Sequence, residues 1–189
     1  MKKLLATSLI SALFAGQAFA AAQTYQIDPA HTFPSFSYSH LGLSTQQLRL
    51  DNTSGTVVYD KEAKTAEVDI KLDMTAISTG FKEFDKHIQA EDIFDTAKFP
   101  TASFKSSKVN FEGDAPKTIE GDLTIKGITK PVVLEVTHFL NTTHPMLEKD
   151  AIGANATTKI LRSDFGVDLH APAVSDEVTI TISLEAVAE

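Results

Sequence analysis

Six histidines are the side chains of this sequence best suited to metal binding or proton transfer. Their spacing favours neither role, because the sequence contains no His-x-x-x-His pair and no His-x-Glu motif. It contains no cysteine either, so zinc sites built on thiolates are excluded. We therefore predict no metal site and no cofactor. The histidines are His31, His40, His87, His138, His144 and His170.

Two further pairs of polar residues stand close together in the sequence. Asp85 and His87 are two residues apart and cannot share one helical face, so we expect them to cap or bridge separate neighbours. Arg162 and Asp164 belong to an Arg-Ser-Asp-Phe-Gly turn, which is typical of a structural ion pair or of the start of a helix. Because buried charges need partners, structural roles are favoured for all four residues.

The sequence contains none of the common motifs of enzymes. There is no Gly-x-Ser-x-Gly nucleophile elbow, no Gly-x-Gly-x-x-Gly fingerprint and no phosphate-binding loop. Glu91 and Asp92 are adjacent, so their side chains point apart and do not form the converging carboxyl pair of a glycosidase. We predict a protein that is not an enzyme and has no catalytic residues.

The stretch 78–104 changes its apolar spacing midway, and this change predicts a helix followed by a strand. Phe81, Phe84 and Ile88 are three and four residues apart, which places them on one face of a short helix over Phe81–Ala90. Further on the spacing becomes two, which is typical of a strand. A helix that lays an aromatic face beside a strand can cover one end of a β-structure. We therefore predict a lid.

Alternating apolar and polar residues indicate that the rest of the chain is rich in strands. The alternation runs from Ala66 to Leu72 and again from Val178 to Leu184, giving each segment one dry face and one wet face. Many one-sided strands with few helices predict an all-β fold. Closure removes exposed edges, so the pattern favours a closed barrel or a sandwich and leaves these two open.

The first residues predict export. Lys2 and Lys3 precede an apolar run too short to span a membrane, and Ala18-Phe19-Ala20 fits a cleavage site, so we expect residues 1–20 to be a signal peptide. A single domain over residues 21–189 would then be released into the periplasm or the medium. The net charge of −8 becomes −10 without the two lysines, and no basic run exists, so we expect no nucleic-acid partner. We also expect no stable insertion into a membrane.

Several short motifs, in order along nearly the whole mature chain, resemble the YceI-like family. They lie between about Tyr25 and Val187. The motifs are Ile27-Asp28-Pro29-Ala30-His31, Phe36 with His40-Leu41-Gly42, Gly55-Thr56-Val57-Val58-Tyr59-Asp60, Thr79-Gly80, Asp85-Lys86-His87-Ile88, Asp92-Ile93-Phe94-Asp95, Phe99-Pro100, the stretch 121–132, Arg162-Ser163-Asp164-Phe165-Gly166 and Val174-Ser175-Asp176-Glu177-Val178.

The resemblance implies a lipocalin-like antiparallel β-barrel of about eight strands, with one short helix and helical turns. Its elongated apolar cavity would hold a long-chain polyisoprenoid, such as an isoprenoid quinone or a prenylphenol. It implies no reaction. The residues that we expect to form the cavity and its lid are Phe36, Tyr38, Phe81, Phe84, Ile88, Phe94, Phe104, Leu134, Ile180 and Ile182.

The interior of such a barrel can be hollow or filled with side chains. The alternate residues from Ile152 to Ile160 are small in the middle of the segment, which fits a cavity and also fits a tapered, filled barrel. The residue pattern alone does not distinguish a hollow barrel from a filled one, and the family resemblance favours the hollow barrel. Near its mouth, His31 or His40 could hydrogen-bond a ligand head group instead of serving the fold.

The sequence also leaves an alternative function and the oligomeric state open. A secreted or periplasmic interaction module, in which the barrel is only a scaffold for a protein partner, is the alternative to a lipid carrier. A homodimer is also left open. The stretch Asn141–Leu147 lacks periodicity, and we predict a long loop there.

Overall fold

The computed structural model describes residues 22–189, which form eleven β-strands, one α-helix and two short 3-10 helices. The predicted signal peptide lies outside the described residues. The strands are β1 (Gln23–Ile27), β2 (Phe33–His40), β3 (Ser44–Leu50), β4 (Thr53–Asp60), β5 (Thr65–Asp73), β6 (Ile77–Ser78), β7 (Thr101–Glu112), β8 (Ala115–Ile125), β9 (Ile128–Thr143), β10 (Asp150–Leu161) and β11 (Glu177–Ala188). The helix α1 spans Lys82–Ile88, and the 3-10 helices span Met74–Ala76 and Arg162–Phe165.

Eight of these strands close into an antiparallel barrel. Its order is β1-β4-β5-β7-β8-β9-β10-β11, and pairing of β1 with β11 completes the ring. The remaining strands, β2, β3 and β6, extend from β11, because β2 pairs with the first half of β11 while β1 pairs with its end. The structure thus confirms the all-β fold and decides the alternative left by the pattern in favour of the barrel.

The alternation of residues decides which face of each strand turns inward. In β5, Val68, Ile70 and Leu72 are buried, whereas the intervening charged residues are exposed or half-buried. Inward residues of the other strands join the same core, which runs around the whole barrel. Burying an aliphatic side chain stabilises the fold by roughly 1.5–3 kcal/mol, so this one-sided pattern determines the register of the strands.

The helix is shorter than the spacing predicted. It begins at Lys82 instead of Phe81 and ends at Ile88. Phe81 is the residue before the first turn, with an extended backbone (φ −136°), so its side chain does not follow the helical face of Phe84 and Ile88.

The prediction of a long loop over Asn141–Leu147 was wrong for its first half. Strand β9 continues to Thr143, and only a short turn separates it from β10. The sequence does not show alternating apolar and polar residues here, because the partly buried position 141 is occupied by a polar residue. The amide of Asn141 has hydrogen-bond partners. Its Nδ2 donates to the hydroxyl of Tyr25 (3.2 Å) and to the carbonyl of Ala151 (3.1 Å).

Candidate functional site: an apolar cavity along the barrel

An elongated cavity runs inside the barrel and is lined by inward residues of nearly every strand. On β10, alternate residues from Ile152 to Ile160 line it, and at a rise of about 3.3 Å per residue this stretch extends roughly 26 Å. The cavity volume of about 300 Å³ is at the low end of the usual range for ligand sites, roughly 300–1,000 Å³. A small volume spread over such a length makes the cavity narrow, which suits a chain-like ligand.

Small residues open the middle of this cavity. Ala154 and Ala156 on β10 face inward beside Leu184 and Ile182 of β11, which lie opposite them in the ladder. Larger apolar side chains such as Phe104 line the wall elsewhere. The space therefore exists because the inward positions of one strand lack bulk, and the structure shows a hollow interior.

Aromatic side chains gather at one end of the cavity, which we call the aromatic end. The ring of Tyr59 stacks on Phe111 (centroids 6.3 Å apart) and meets Phe139 edge-on at 5.4 Å. Tyr59 and Ile152 beside this cluster are almost fully buried. The three rings therefore narrow the cavity at this end.

The opposite end carries α1, the 3-10 helix Arg162–Phe165 and the segment 169–174, and we call it the helix end. Phe84 and His87 of α1 line the cavity there, and Ile88 is buried beneath them. Phe94, just after the helix, packs edge-on against Phe36 at 6.0 Å. Because His87 is exposed while Phe84 is half-buried, α1 partly covers an opening to solvent. That α1 acts as a lid stays a prediction.

Hydrogen bonds hold α1 and the following loop in place. The carboxylate of Asp85 accepts from the backbone N–H and the hydroxyl of Thr79, both at 2.7 Å, and these bonds keep the pKa of Asp85 below its usual value. The ammonium of Lys126 donates to the carbonyls of Ile93 (2.7 Å) and Gly166 (3.0 Å), linking the loop after α1 to the 3-10 helix. Asp85 therefore holds Thr79 in place and does not line the cavity.

Arg162 ties together the other side of the helix end. Its guanidinium donates to the backbone carbonyls of Val167, Val174 (2.8 Å) and Ser175 (2.9 Å). Among residues 22–189 it has no carboxylate within 4.0 Å, so the ion pair with Asp164 that the turn suggested does not form. Asp164 is an exposed residue in the first turn of the 3-10 helix. The Arg-Ser-Asp-Phe-Gly motif therefore marks the start of a helix.

The structure distributes the candidate site residues between the cavity wall and the surface. Phe81 is the exception among the apolar candidates, since 66% of its surface is exposed and it lies off the wall. His31 also lies off the wall. Whether the wall residues contact a ligand stays a prediction. The candidates on the wall are Phe36, Tyr38, Phe84, Ile88, Phe94, Phe104, Leu134, Ile180, Ile182, His40, His87 and Arg162.

His31 belongs to a small polar cluster on the surface. Its Nδ1 lies 2.7 Å from the carboxylate of Asp28, and this contact raises the pKa of His31 and lowers that of Asp28. Together with Glu185 these residues bring three ligand-type atoms within 4.8 Å of one another. The cluster is largely exposed, and the Nδ1 of His31 is already hydrogen-bonded to Asp28. The absence of a metal site stays a prediction.

Sequence reasoning missed two parts of the wall. Tyr59 at the aromatic end could have been found from the alternation of β4, because it is in phase with the inward Val57. Phe139 could not, because the register of β9 shifts between Val136 and His138, so Phe139 is out of phase with the inward Leu134. Leu169, His170 and Val174 could not, because they lie on an irregular segment without periodicity.

No described helix has the length and the apolar character that crossing a membrane requires.

Comparisons with known proteins agree with this geometry. The chain is 36% identical over 188 residues to "Protein YceI" of Escherichia coli O157:H7, covering 98% of this chain and 97% of that protein. A Campylobacter jejuni YCEI crystal structure superposes with a TM-score of 0.68 at 25% identity, over 80% of this chain and 90% of that one. A polyisoprenoid binding domain from Saccharophagus degradans implicated in plant cell wall breakdown superposes with a TM-score of 0.66, over 88% and 99% of the two chains. At 16% identity, this second likeness concerns the fold.

The family assignment rests on the length of the match as well as on the fold. A family model for the YceI-like domain matches residues 25–186, which include all or most of every strand of the closed barrel. The chain belongs to the YceI-like family.

Proposed function

We propose that this protein binds a long-chain polyisoprenoid, an isoprenoid quinone or a prenylphenol, in its barrel cavity and carries or sequesters it without chemical change. The observation that carries the proposal is the cavity itself, which is narrow, long and apolar along most of its wall. The name of the Saccharophagus degradans domain supports the same ligand class for a barrel of this fold.

The energetics of such a ligand suit this wall. Each methylene moved from water into an apolar site contributes about 0.8 kcal/mol, so a long chain can bind tightly without hydrogen bonds. The branched side chains of Ile180 and Ile182 and the ring of Phe104 offer contacts along its length. An isoprenoid barely dissolves in water, whereas the barrel presents mainly polar and charged residues to solvent.

The polar groups at the helix end support a binding role over catalysis. Arg162 is held by three backbone carbonyls, and Asp85 is held by Thr79 away from the wall. The wall carries no carboxylate that could pair with His40, His87 or His170 as an acid–base couple. The proposed role is therefore that of a carrier.

The proposal places the carrier in the periplasm, after cleavage near Ala20. The lysines, the short apolar run and the Ala18-Phe19-Ala20 site support this placement. Cell fractionation with N-terminal sequencing tests it. We expect soluble protein that begins near Ala21, and a full-length product in the membrane fraction would contradict it.

Two phenylalanines of the lid offer a matched test of ligand contact. Phe84→Ala removes an inward ring, and we expect isoprenoid affinity to fall about tenfold, because losing half of a phenylalanine's burial costs roughly 1–1.5 kcal/mol. Phe81→Ala removes a ring that is 66% exposed, and we expect little change. Uptake is measured by titration with an isoprenoid quinone, alongside the melting temperature of the ligand-free protein.

The comparison separates a ligand contact from a core contact. If Phe84→Ala lowers the melting temperature strongly while uptake is unchanged, the lid packs for stability alone. Failure of the unaltered protein to take up quinone or prenylphenol would favour the interaction scaffold.

A further inference from the structure

The charges on the cavity wall are distributed in an unexpected way. The chain has 25 acidic and 17 basic residues, yet among residues 22–189 no aspartate or glutamate lines the cavity. Of the lysines and arginines in the described part of the chain, Arg162 alone lies on the wall, and the imidazoles of His40, His87 and His170 lie there too. An acidic protein thus has a cavity wall that carries one arginine and three histidines but no carboxylate.

These groups gather at the helix end. His40 forms a bridge with Val174, and Arg162 donates to the carbonyl of the same Val174. The N–H of Val174 in turn donates to the carbonyl of His170. His87 lies on α1, whose following loop is joined to the 3-10 helix through Lys126. Segments far apart in the sequence therefore bring an arginine and three imidazoles to one end of an otherwise apolar wall.

Arg162 has donors to spare. A guanidinium carries five N–H groups, and the backbone carbonyls described above take three of them. No carboxylate of the described residues lies within 4.0 Å, and neutral groups fix the positive charge in place. The more distant carboxylate of Asp176 interacts with this charge, which adds to the hydrogen bonds from Ser163 in lowering the pKa of Asp176. Because Asp176 does not pair directly with Arg162, the guanidinium remains available to attract an anion.

Tyr38 adds a second donor beside it. The side chain is half-buried on the wall, and its hydroxyl has no hydrogen-bond partner among residues 22–189. Burial raises the pKa of the Tyr38 hydroxyl, and the nearby charge of Arg162 opposes that rise. The hydroxyl therefore stays protonated at neutral pH and can donate to a ligand.

We propose that the helix end binds an anionic oxygen head group, a phosphate or a carboxylate, on the isoprenoid whose tail fills the cavity. This inference rests on the isoprenoid-binding part of the proposed function and replaces the quinone or phenol head with an anionic one. Hydrogen bonds to a charged acceptor are about twice as strong as those to a neutral carbonyl, and the apolar wall screens them less than water does. A quinone would still bind by its tail, but it would gain less from Arg162 and Tyr38.

The test compares ligands that share one geranylgeranyl tail and differ only in the head. These are the monophosphate, the carboxylic acid, the alcohol and a quinone, titrated against the mature protein. We expect at least one of the two anions to bind about tenfold more tightly than the alcohol and the quinone, which is the effect of roughly 1.4 kcal/mol. The anion that is preferred identifies the head, whether phosphate or carboxylate.

Variants then locate the head. Tyr38→Phe should reduce the preference for the anion, because it removes one donor and leaves the ring in place. Tyr59→Phe makes the same change at the aromatic end and should leave the preference unchanged. Arg162 is left intact because it also holds the fold together.

The outcomes separate the head group from the tail. Equal affinity for all four ligands would overturn the anionic site while leaving isoprenoid binding intact. If the preference for the anion falls in Tyr59→Phe and not in Tyr38→Phe, the head group lies at the aromatic end. That result would also overturn the proposed anionic site. Binding of none of the four would contradict both the site and the proposed function.

Discussion

Replacing Ala156 with phenylalanine should nearly abolish isoprenoid uptake. Ala156 is one of the small inward residues of β10, opposite Ile182, at the middle of the cavity. A phenyl ring there would take the space of several ligand carbons, and the loss of about four buried methylenes costs roughly 3 kcal/mol, more than a hundredfold in affinity. Because the ring enters open space, we expect stability to change by less than the roughly 1–3 kcal/mol of an overpacked core. Titration and thermal melting measure both effects.

Thr181→Phe is the matched control for this substitution. Thr181 is an exposed residue of β11, next to Ile182 and on the outer face of the barrel. The same ring added there should leave uptake unchanged. If Ala156→Phe binds isoprenoid as well as the unaltered protein does, the middle of the barrel is not where the tail lies.

The largest expected effect on stability belongs to Gly55→Ala. Gly55 in β4 has a φ of +134°, which other residues rarely adopt, and a Cβ built on it would lie 2.0 Å from the backbone oxygen of Asp69 in β5. The methyl group would therefore force two hydrogen-bonded strands apart. Backbone strain and overpacking together should cost roughly 2–6 kcal/mol, which chemical denaturation would show as a lower unfolding midpoint.

Gly153→Ala provides the comparison within the same sheet. Gly153 in β10 has an ordinary backbone conformation, and its Cβ would meet nothing within 4 Å. We expect this variant to be close to neutral or slightly stabilised. Similar losses of stability in both variants would mean that the close approach of β4 to β5 is not what requires glycine at position 55.

Much of the fold could be predicted from the sequence because its signals are local. The alternation in β5 and β11 is a period-2 pattern that any half-buried strand must show, and it assigned the inward faces correctly. The period-2 pattern missed the end of a strand where an inward side chain is polar and its hydrogen-bond partner lies far away in the sequence. Asn141 faces a polar partner, Tyr25, from a distant strand, so the end of β9 read as a loop.

The candidate site was less predictable, because its geometry also depends on contacts between residues that are far apart in the sequence. Spacing placed Phe81 with Phe84, but the helix begins one residue later, and a residue in an extended conformation turns its side chain elsewhere. The helix end depends on His40, Arg162 and His170 meeting through tertiary contacts, and no spacing in the sequence encodes that meeting. The chemical partners of Arg162 are backbone carbonyls, which a search for charged side chains overlooks.

Purifying the protein from its native host and extracting it with organic solvent tests the central proposal most directly. Mass spectrometry of the extract should show a long-chain isoprenoid, and Ala156→Phe purified in parallel should yield little of it. Thr181→Phe should carry the same lipid as the unaltered protein. Protein recovered empty, which then takes up neither quinone nor prenylphenol nor a prenyl phosphate, would contradict the assignment of the cavity as an isoprenoid site.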